Sequence, residues 1–294
     1  MKYGIVFANT MQWTKGAGAV EMARSADDAG FESLWTVEHV VYPDDYSSPY
    51  PYSPDGKMPA QPSTPIPDPL IWLAYVASVT TSIRLATGIL ILPQRNPVVL
   101  AKELATLDEL SGGRVELGIG VGWLREEFDA LGVPWERRGA RTDEYVAAMR
   151  ALWASDGATF EGDFASFTHV SSNPKPPQGQ IPIVVGGHSR AACERAGRLG
   201  DGFFPGQGSP TELGDMIDIV RQTAAAHGRD GGAIEVTAGS PAIFGDDPVG
   251  AAQELAELGV TRIVVPGFVL RKPSEREAMQ AFAERVITPT AAVG

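Results

Sequence analysis

The sequence contains a single cysteine, Cys193, among 294 residues. One cysteine cannot form an intrachain disulfide, and it cannot supply the thiolate clusters that hold structural zinc or iron–sulfur centres. No metal site is therefore predicted. A chain without disulfides is typical of a reducing compartment, so we expect a cytoplasmic protein.

Positive charge and long apolar runs are also scarce. Lys and Arg number 24 against 36 Asp and Glu, which gives a formal net charge of −12. Such a chain has no overall attraction for polyanions, so we expect no nucleic-acid partner. The apolar runs have the length of strands, and the N-terminal segment reaches Asn9 too early for a signal-peptide core, so we expect no membrane partner.

The chain alternates short apolar, β-branched runs with longer segments of helical period. Eight such strand–helix units indicate a (β/α)8 TIM barrel that forms a single domain over residues 1–294. An open, doubly wound sheet is the alternative, but no linker divides the chain into two halves. The predicted strands are 3–7, 33–37, 83–90, 115–119, 181–185, 201–204, 234–238 and 262–265. The predicted helices are 18–29, 68–79, 97–110, 141–154, 189–199, 211–227, 248–258 and 274–286.

Two segments fall outside this repeat. Residues 41–67 follow the second strand, are rich in proline, carry four of the seven tyrosines and lack helical period. A long loop of this kind is usually a lid or a binding loop, and in a barrel it would cover the C-terminal mouth. Residues 155–180, before the fifth strand, indicate a hairpin with a proline-rich return. Decoration or a dimer contact is the alternative for both segments.

Active sites of such barrels lie at the C-terminal ends of the strands, and here those ends lack the side chains of several enzyme classes. We find no opposed carboxylates for a glycosidase, no strand-end lysine for a Schiff base and no Gly-x-Ser-x-Gly nucleophile turn. A hydrolase is therefore disfavoured. Of the four histidines, only His39 and His188 follow predicted strands.

Glycine is instead abundant at these strand ends. Gly186-Gly187-His188-Ser189 leads into a helix, where bare amides and the helix N-terminus could hold a phosphate. A tight turn with Ser189 as an ordinary helix cap is the alternative. A glycine-lined mouth with few ionisable groups indicates that a phosphorylated redox cofactor brings the reactivity.

The segments 86–123 and 182–206, together with Glu38-His39, resemble the luciferase-like monooxygenase superfamily. Within it they most resemble oxidoreductases that use the deazaflavin coenzyme F420. The resemblance implies a non-proline cis peptide between Gly88 and Ile89 that forms a bulge behind the flavin ring. It further implies a cofactor site made of Glu38, His39, Thr87, Gly88, Ile89, Gly186, Gly187, His188, Ser189, Gly206 and Gln207.

His39 is the candidate catalytic residue, either polarising the substrate or relaying a proton; a structural hydrogen bond between strands is the alternative. His188 is expected to act through its backbone, with its imidazole facing solvent. Glu126 and Glu127 are interpreted as partners of a helix dipole. Sugar-phosphate dehydrogenases of the superfamily carry a glutamate where this chain has Trp123, which disfavours that activity and favours an apolar or aromatic substrate pocket.

The resemblance implies hydride transfer between coenzyme F420 and a small organic substrate, by a protein that forms a homodimer. One alternative is an FMNH2-dependent monooxygenase with an alkanesulfonate- or alkanal-type substrate, since deazaflavin and FMN differ in chemistry but not in the fold that binds them. A non-catalytic flavin-binding relative is the other alternative, and a mouth with no room beside the cofactor would support it.

Overall fold

The computed structural model describes residues 1–272 and 274–291. Its main sheet is a closed barrel of eight parallel strands, in the order β1, β2, β3, β5, β8, β9, β10 and β11, which closes where β11 pairs with β1. The strands are β1 (Lys2–Val6), β2 (Ser33–Thr36), β3 (Arg84–Thr87), β4 (Leu90–Ile91), β5 (Val115–Gly120), β6 (Ala158–Glu161), β7 (Ser166–Val170), β8 (Ile183–Gly186), β9 (Gly202–Phe204), β10 (Glu235–Ala238) and β11 (Arg262–Pro266).

Helices connect the barrel strands, so the predicted (β/α)8 architecture is confirmed. They are α1 (Gly16–Asp28), α2 (Pro69–Ala77), α3 (Pro97–Ser111), α4 (Arg125–Ala130), α5 (Arg138–Ala154), α6 (Arg190–Leu199), α7 (Pro210–Ala226), α8 (Pro248–Leu258) and α9 (Glu275–Phe282). In the part of the chain that the structure describes, none of them has the length and apolar character needed to cross a bilayer.

Local sequence signals explain where several helices begin and end. The Asp68 carboxylate accepts hydrogen bonds from two amides of the first turn of α2, and Pro69 occupies the first helical position. Asn96 and Pro97 begin α3 in the same way. Gly112 ends α3 at φ 72°, a left-handed conformation that glycine adopts without a Cβ clash.

The barrel interior is filled by one large side chain above an ionic cluster. Trp35 is fully buried, and a Cβ on Gly4 would lie 2.8 Å from its Nε1 atom, so glycine makes room for the indole. At the N-terminal end of the strands, the buried Arg262 guanidinium contacts the carboxylates of Glu32, Glu116 and Glu235. The interior is therefore closed below Trp35, and the C-terminal mouth is left for function.

The structure corrects three details of the predicted elements. The third predicted strand, 83–90, is interrupted at residues 88 and 89, so β3 and β4 are separate. The short helix α4, at residues 125–130, was not predicted, and α5 begins before the expected 141. The predicted hairpin is confirmed, because β6 and β7 pair antiparallel.

A candidate cofactor site at the barrel mouth

Ile89 lies in the mouth, against the ends of two strands. The peptide bond between Gly88 and Ile89 is cis, which confirms the position that the resemblance implied. The Ile89 side chain lies between two strand ends: a Cβ on Gly186 would lie 2.6 Å from Ile89 Cγ2, and a Cβ on Gly120 would overlap Ile89 Cδ1. Glycine at both positions therefore allows the bulge to enter the mouth.

Thr87, directly before the bulge, is buried and donates its hydroxyl to the Gly118 carbonyl at 2.7 Å. This bond joins β3 to β5 below the mouth. The Thr87 hydroxyl is thus used within the barrel wall, and a cofactor contact from this residue stays a prediction.

The turn after β8 has the features of an anion site. Ser189 caps α6 by accepting a hydrogen bond from the Ala192 amide at 3.2 Å. Gly187 has φ 117°, and its amide donates to the Phe204 carbonyl at the end of β9. The His188 imidazole packs against Tyr52 with ring centroids 5.3 Å apart, and its Nδ1 atom is buried without a hydrogen-bond partner among the described residues. The expectation that this imidazole faces solvent is only partly met: the residue is half-buried, Tyr52 packs against the ring, and the Nδ1 atom is buried.

The loop of residues 41–67 covers one side of the mouth, as predicted. A Cβ on Gly206, after β9, would lie 3.0 Å from the Tyr52 ring, and Gln207 Nε2 donates to the Pro51 carbonyl at 3.3 Å. Gly206 and Gln207 are thus brought to the same side of the mouth as His188, and both contact the loop.

Glu126 fastens the same loop to the barrel. Its carboxylate accepts hydrogen bonds from the Ser47 amide at 2.6 Å and from the Ser48 hydroxyl at 2.6 Å. Partial burial raises the pKa of Glu126, but these hydrogen bonds outweigh burial and lower it to about 2. The interpretation of Glu126 as a dipole partner is therefore incomplete: it is an anchor of the loop.

An aromatic cluster lies beneath this loop. Trp123 makes edge contacts with His39, Tyr46 and Tyr50 at centroid distances of 5.8, 5.7 and 5.1 Å. Tyr50 in turn contacts Tyr52. The cluster thus runs from His39 towards His188 and gives this side of the mouth an aromatic wall.

Glu38 is held by the segment that follows the bulge. Its carboxylate accepts a hydrogen bond from the Ile91 amide and pairs with Arg95, which also binds Asp68 at 2.7 Å. Burial raises the pKa of Glu38 despite these contacts. The carboxylate is therefore already used in positioning β4, and its approach to a cofactor stays a prediction.

His39 is paired with Glu127. The His39 ring is mostly buried, with its Nδ1 atom 3.1 Å from the Glu127 carboxylate, and the Glu127 side chain is fully buried. The same carboxylate accepts hydrogen bonds from the amides of Val40 and Val41. The interpretation of Glu127 as a dipole partner is incomplete: it stands in the first turn of α4, but its carboxylate binds the segment that follows β2.

A cavity of about 280 Å³ lies beside His39. Its walls include Gln94, Asp68 and Leu131. Both polar atoms of the Gln94 amide are buried, and they have no hydrogen-bond partner in the described ranges 1–272 and 274–291. Buried amides are normally hydrogen-bonded, so the cavity has space and unsatisfied polarity for water or a small molecule.

The match to a family model decides the classification. A model described as luciferase-like monooxygenase matches residues 1–288. The chain belongs to the luciferase-like monooxygenase family. This family comprises flavin- and F420-dependent oxidoreductases and monooxygenases, so the chain is classed as an enzyme of that kind.

Two relatives illustrate the range of this luciferase-like family. An uncharacterized protein of Mycobacterium tuberculosis is 36% identical over 210 residues, which are 71% of this chain and 72% of the relative. The FMNH2-dependent dimethylsulfone monooxygenase of Pseudomonas putida is 35% identical over 167 residues, 55% of this chain and 45% of that protein.

The solved structures share the fold over most of their length. Long-chain alkane monooxygenase superposes with a TM-score of 0.79 at 15% identity, covering 99% of this chain and 91% of the other. An F420-dependent secondary alcohol dehydrogenase, solved with an F420–acetone adduct, superposes with a TM-score of 0.76 at 19% identity, covering 97% of this chain and 98% of that chain. At these identities the likeness concerns the fold.

Sequence reasoning missed Gly120 and Glu127 as site residues. Gly120 stands inside a glycine run that is equally compatible with an ordinary strand. Glu127 is fully buried in a helix of six residues, too short for a helical period to indicate which side chains face inward.

Proposed function

We propose that this protein is an oxidoreductase that transfers a hydride between coenzyme F420 and a small organic substrate. The observation that carries the proposal is the position of Ile89, which enters the mouth between Gly120 and Gly186, and Gly186 begins the turn that leads to Ser189. A planar ring could rest on Ile89 while its phosphate tail reaches that turn. The mouth has few ionisable side chains, so a bound cofactor would supply the reactivity.

The residues of the turn fit a phosphate-tailed cofactor. A Cβ on Gly187 would be 3.2 Å from Ala192 Cβ, so glycine lets the backbone stay close to the start of α6. That helix has ten residues, and its N-terminus favours an anion. The buried, unpartnered Nδ1 of His188 adds a polar atom that lacks a partner within the chain. We assign phosphate binding to residues 186–189, completed by Gly206 and Gln207.

When bound there, a deazaflavin supplies a ring carbon, C5, that accepts or donates a hydride. The chain's own residues would orient the ring, exclude water and handle a proton. Ile89 would support the ring, and the loop of residues 41–67 would shield it. His39, at the edge of the mouth, would hold or move the substrate proton.

The remaining rim favours an apolar or aromatic substrate. Phe7 and Phe268 follow β1 and β11, with ring centroids 5.8 Å apart and about two fifths of each side chain exposed. Trp123 supplies an aromatic wall on the other side. The cavity beside His39 has room for a small molecule.

An FMNH2-dependent monooxygenase is the second candidate. The dimethylsulfone monooxygenase of Pseudomonas putida favours it, with 35% identity over 55% of this chain. We favour F420 because the segments that carry the sequence resemblance, residues 86–123 and 182–206, most resemble the deazaflavin branch.

A parallel titration tests the proposal. The purified protein is titrated with F420 and with FMN, each oxidised and reduced, and binding is followed by fluorescence. The expected result is tighter binding of F420, followed by anaerobic turnover with a panel of alcohols, ketones and aromatic acceptors. Tighter binding of FMNH2, with oxygen consumed in the presence of an alkanal or a sulfone, would overturn it.

We also propose that the protein forms a homodimer. Ile71 and Tyr75 lie one turn apart on α2 with exposed side chains, and Val99 is exposed on α3. Apolar side chains that share a helix face and remain in water favour contact with a second copy. Sedimentation analysis of the wild type and of Ile71→Glu checks this: the wild type should be a dimer, and the variant should shift towards monomer.

A further inference from the structure

Three hydrogen bonds converge on one buried carboxylate beside the mouth. Glu127, in α4, accepts at Oε1 from the Val40 amide at 2.6 Å and from the Val41 amide at 3.3 Å. Its Oε2 atom lies 3.1 Å from His39 Nδ1. Because the Glu127 side chain is fully buried, water does not compete for these contacts.

Oε1 of Glu127 is used by the two backbone amides and Oε2 by His39, and this arrangement determines which imidazole nitrogen carries the hydrogen. An ionised carboxylate only accepts hydrogen bonds, so Nδ1 must carry a hydrogen that it donates to Oε2. In the neutral ring, Nε2 is then an acceptor. Nε2 has no hydrogen-bond partner among residues 1–272 and 274–291, and the ring borders the cavity of about 280 Å³.

We propose that Glu127 is the positioning residue of His39, fixing the Nδ1–H tautomer so that Nε2 presents a free lone pair at the mouth. The catalytic part of this inference rests on the proposed function, whereas the tautomer does not. A substrate proton taken up at Nε2 leaves an imidazolium, and the Glu127 carboxylate neutralises its charge. In the reverse direction the imidazolium returns that proton to the substrate.

The other charged groups nearby are already paired. Glu38 is bound to Arg95, and Arg95 is bound to Asp68. Glu127 is thus the carboxylate that contacts the imidazole within the described residues. The same carboxylate also binds the beginning of the loop of residues 41–67, so Glu127 positions both His39 and this loop.

The Glu127→Gln variant tests whether Glu127 sets the tautomer of His39 or only fills space beside the ring. Its amide oxygen must stay with the donors Val40 and Val41, which turns the amide NH2 towards His39 Nδ1. Because this NH2 is a donor, Nδ1 has to become an acceptor, and the hydrogen moves to Nε2. The variant keeps the shape of the side chain and reverses the tautomer.

Long-range ¹H–¹⁵N NMR of the cofactor-free protein reads the tautomer directly. His39 signals are assigned by their loss in His39→Gln. We expect a protonated Nδ1 and an unprotonated Nε2 in the wild type and the opposite in Glu127→Gln. Glu127→Asp, which keeps an acceptor-only carboxylate, should restore the wild-type pattern. Asp129→Asn is the matched control, because Asp129 lies on α4 with an exposed side chain that pairs with Arg125.

A wild type with the hydrogen on Nε2, or a Glu127→Gln spectrum identical to that of the wild type, would overturn the inference. If Glu127→Gln fails to fold, the wild-type and Glu127→Asp spectra decide the question on their own.

Turnover tests the catalytic part separately. General acid–base catalysis contributes about 10²- to 10⁴-fold, so kcat of Glu127→Gln should fall by that factor, with F420 affinity retained. Asp129→Asn should keep the wild-type kcat. A reversed tautomer with unchanged kcat would refute a proton-transfer role for Nε2. A wild type inactive with F420 would refute the proposed function and leave the NMR result to judge the positioning.

Discussion

Ile89 Cγ2 lies 2.6 Å from the point that a Cβ on Gly186 would occupy. The Ile89 side chain therefore fits in the mouth only because Gly186, two barrel strands away, has no side chain. This relationship links the bulge after β3 to the turn after β8. Both are parts of the proposed cofactor site, and substitution of the glycine should disturb both.

Gly186→Ala should weaken F420 binding at least about tenfold, which corresponds to about 1.4 kcal/mol. The new methyl group forces Ile89 to move, and overpacking of this kind costs about 1–3 kcal/mol of stability. Fluorescence titration and urea unfolding measure the two effects. Gly239→Ala is the matched control at the end of β10, because its Cβ would lie 3.4 Å from the Val264 carbonyl, an ordinary contact. Equal affinities for F420 in Gly186→Ala and Gly239→Ala would contradict the proposed cofactor site.

Ser189→Ala should lower the affinity for F420 but not for a deazaflavin that lacks the phosphate tail. The substitution removes the hydroxyl that caps α6, and we expect the phosphate to bind at this turn. Losing the cap itself costs about 1 kcal/mol of stability. Ser274→Ala removes an equivalent cap from α9 and should leave both affinities unchanged. A parallel loss for both deazaflavins in Ser189→Ala would place the phosphate elsewhere.

The stability that Glu126 contributes to the folded protein should decrease at acid pH. Its pKa is lowered from the ordinary 4.5 to about 2 in the folded protein, so its contribution is complete above about pH 4.5 and is lost as the pH falls towards 2. The difference in unfolding free energy between the wild type and Glu126→Gln should therefore shrink between pH 6 and pH 3. Urea titrations at several pH values measure it. A difference that stays constant would show that the loop is not held by the ionised carboxylate.

Arg262→Met should destabilise the barrel by about 1–3 kcal/mol, because Glu32 loses its paired cation and Glu116 and Glu235 keep only Arg84 and Lys2. Arg262 is fully buried against Glu32, Glu116 and Glu235. Urea unfolding measures the loss, and Arg276→Ala, which removes an exposed ion pair with Asp28, should change stability by less than about 0.5 kcal/mol. Similar values for the two variants would show that the cluster is not a stabilising element.

The sequence predicts the barrel well, because several buried strands, such as β8, are apolar runs and most of the helices begin at a side-chain cap. Asp68-Pro69 begins α2 as expected. The break between β3 and β4 could not be read from periodicity, since residues 83–90 are apolar on both sides of it. The family resemblance indicated it instead, at Gly88 and Ile89.

The site is only partly predictable for a physical reason. Strand-end residues such as His39 and Ser189 are placed by the regular barrel geometry, so their neighbourhood follows from the strand order. Glu127 reaches His39 across 88 residues of sequence, through an irregular connection and a short helix. Pairings of that kind depend on the path of the loop, which no local pattern encodes.

A crystal structure of the protein with F420 would show whether the mouth binds a phosphate-tailed deazaflavin. We expect the ring against Ile89, its C5 atom towards the His39 side, and the phosphate hydrogen-bonded within the turn of residues 186–189. A ring bound away from Ile89, or a phosphate with no contact to the turn of residues 186–189, would contradict it.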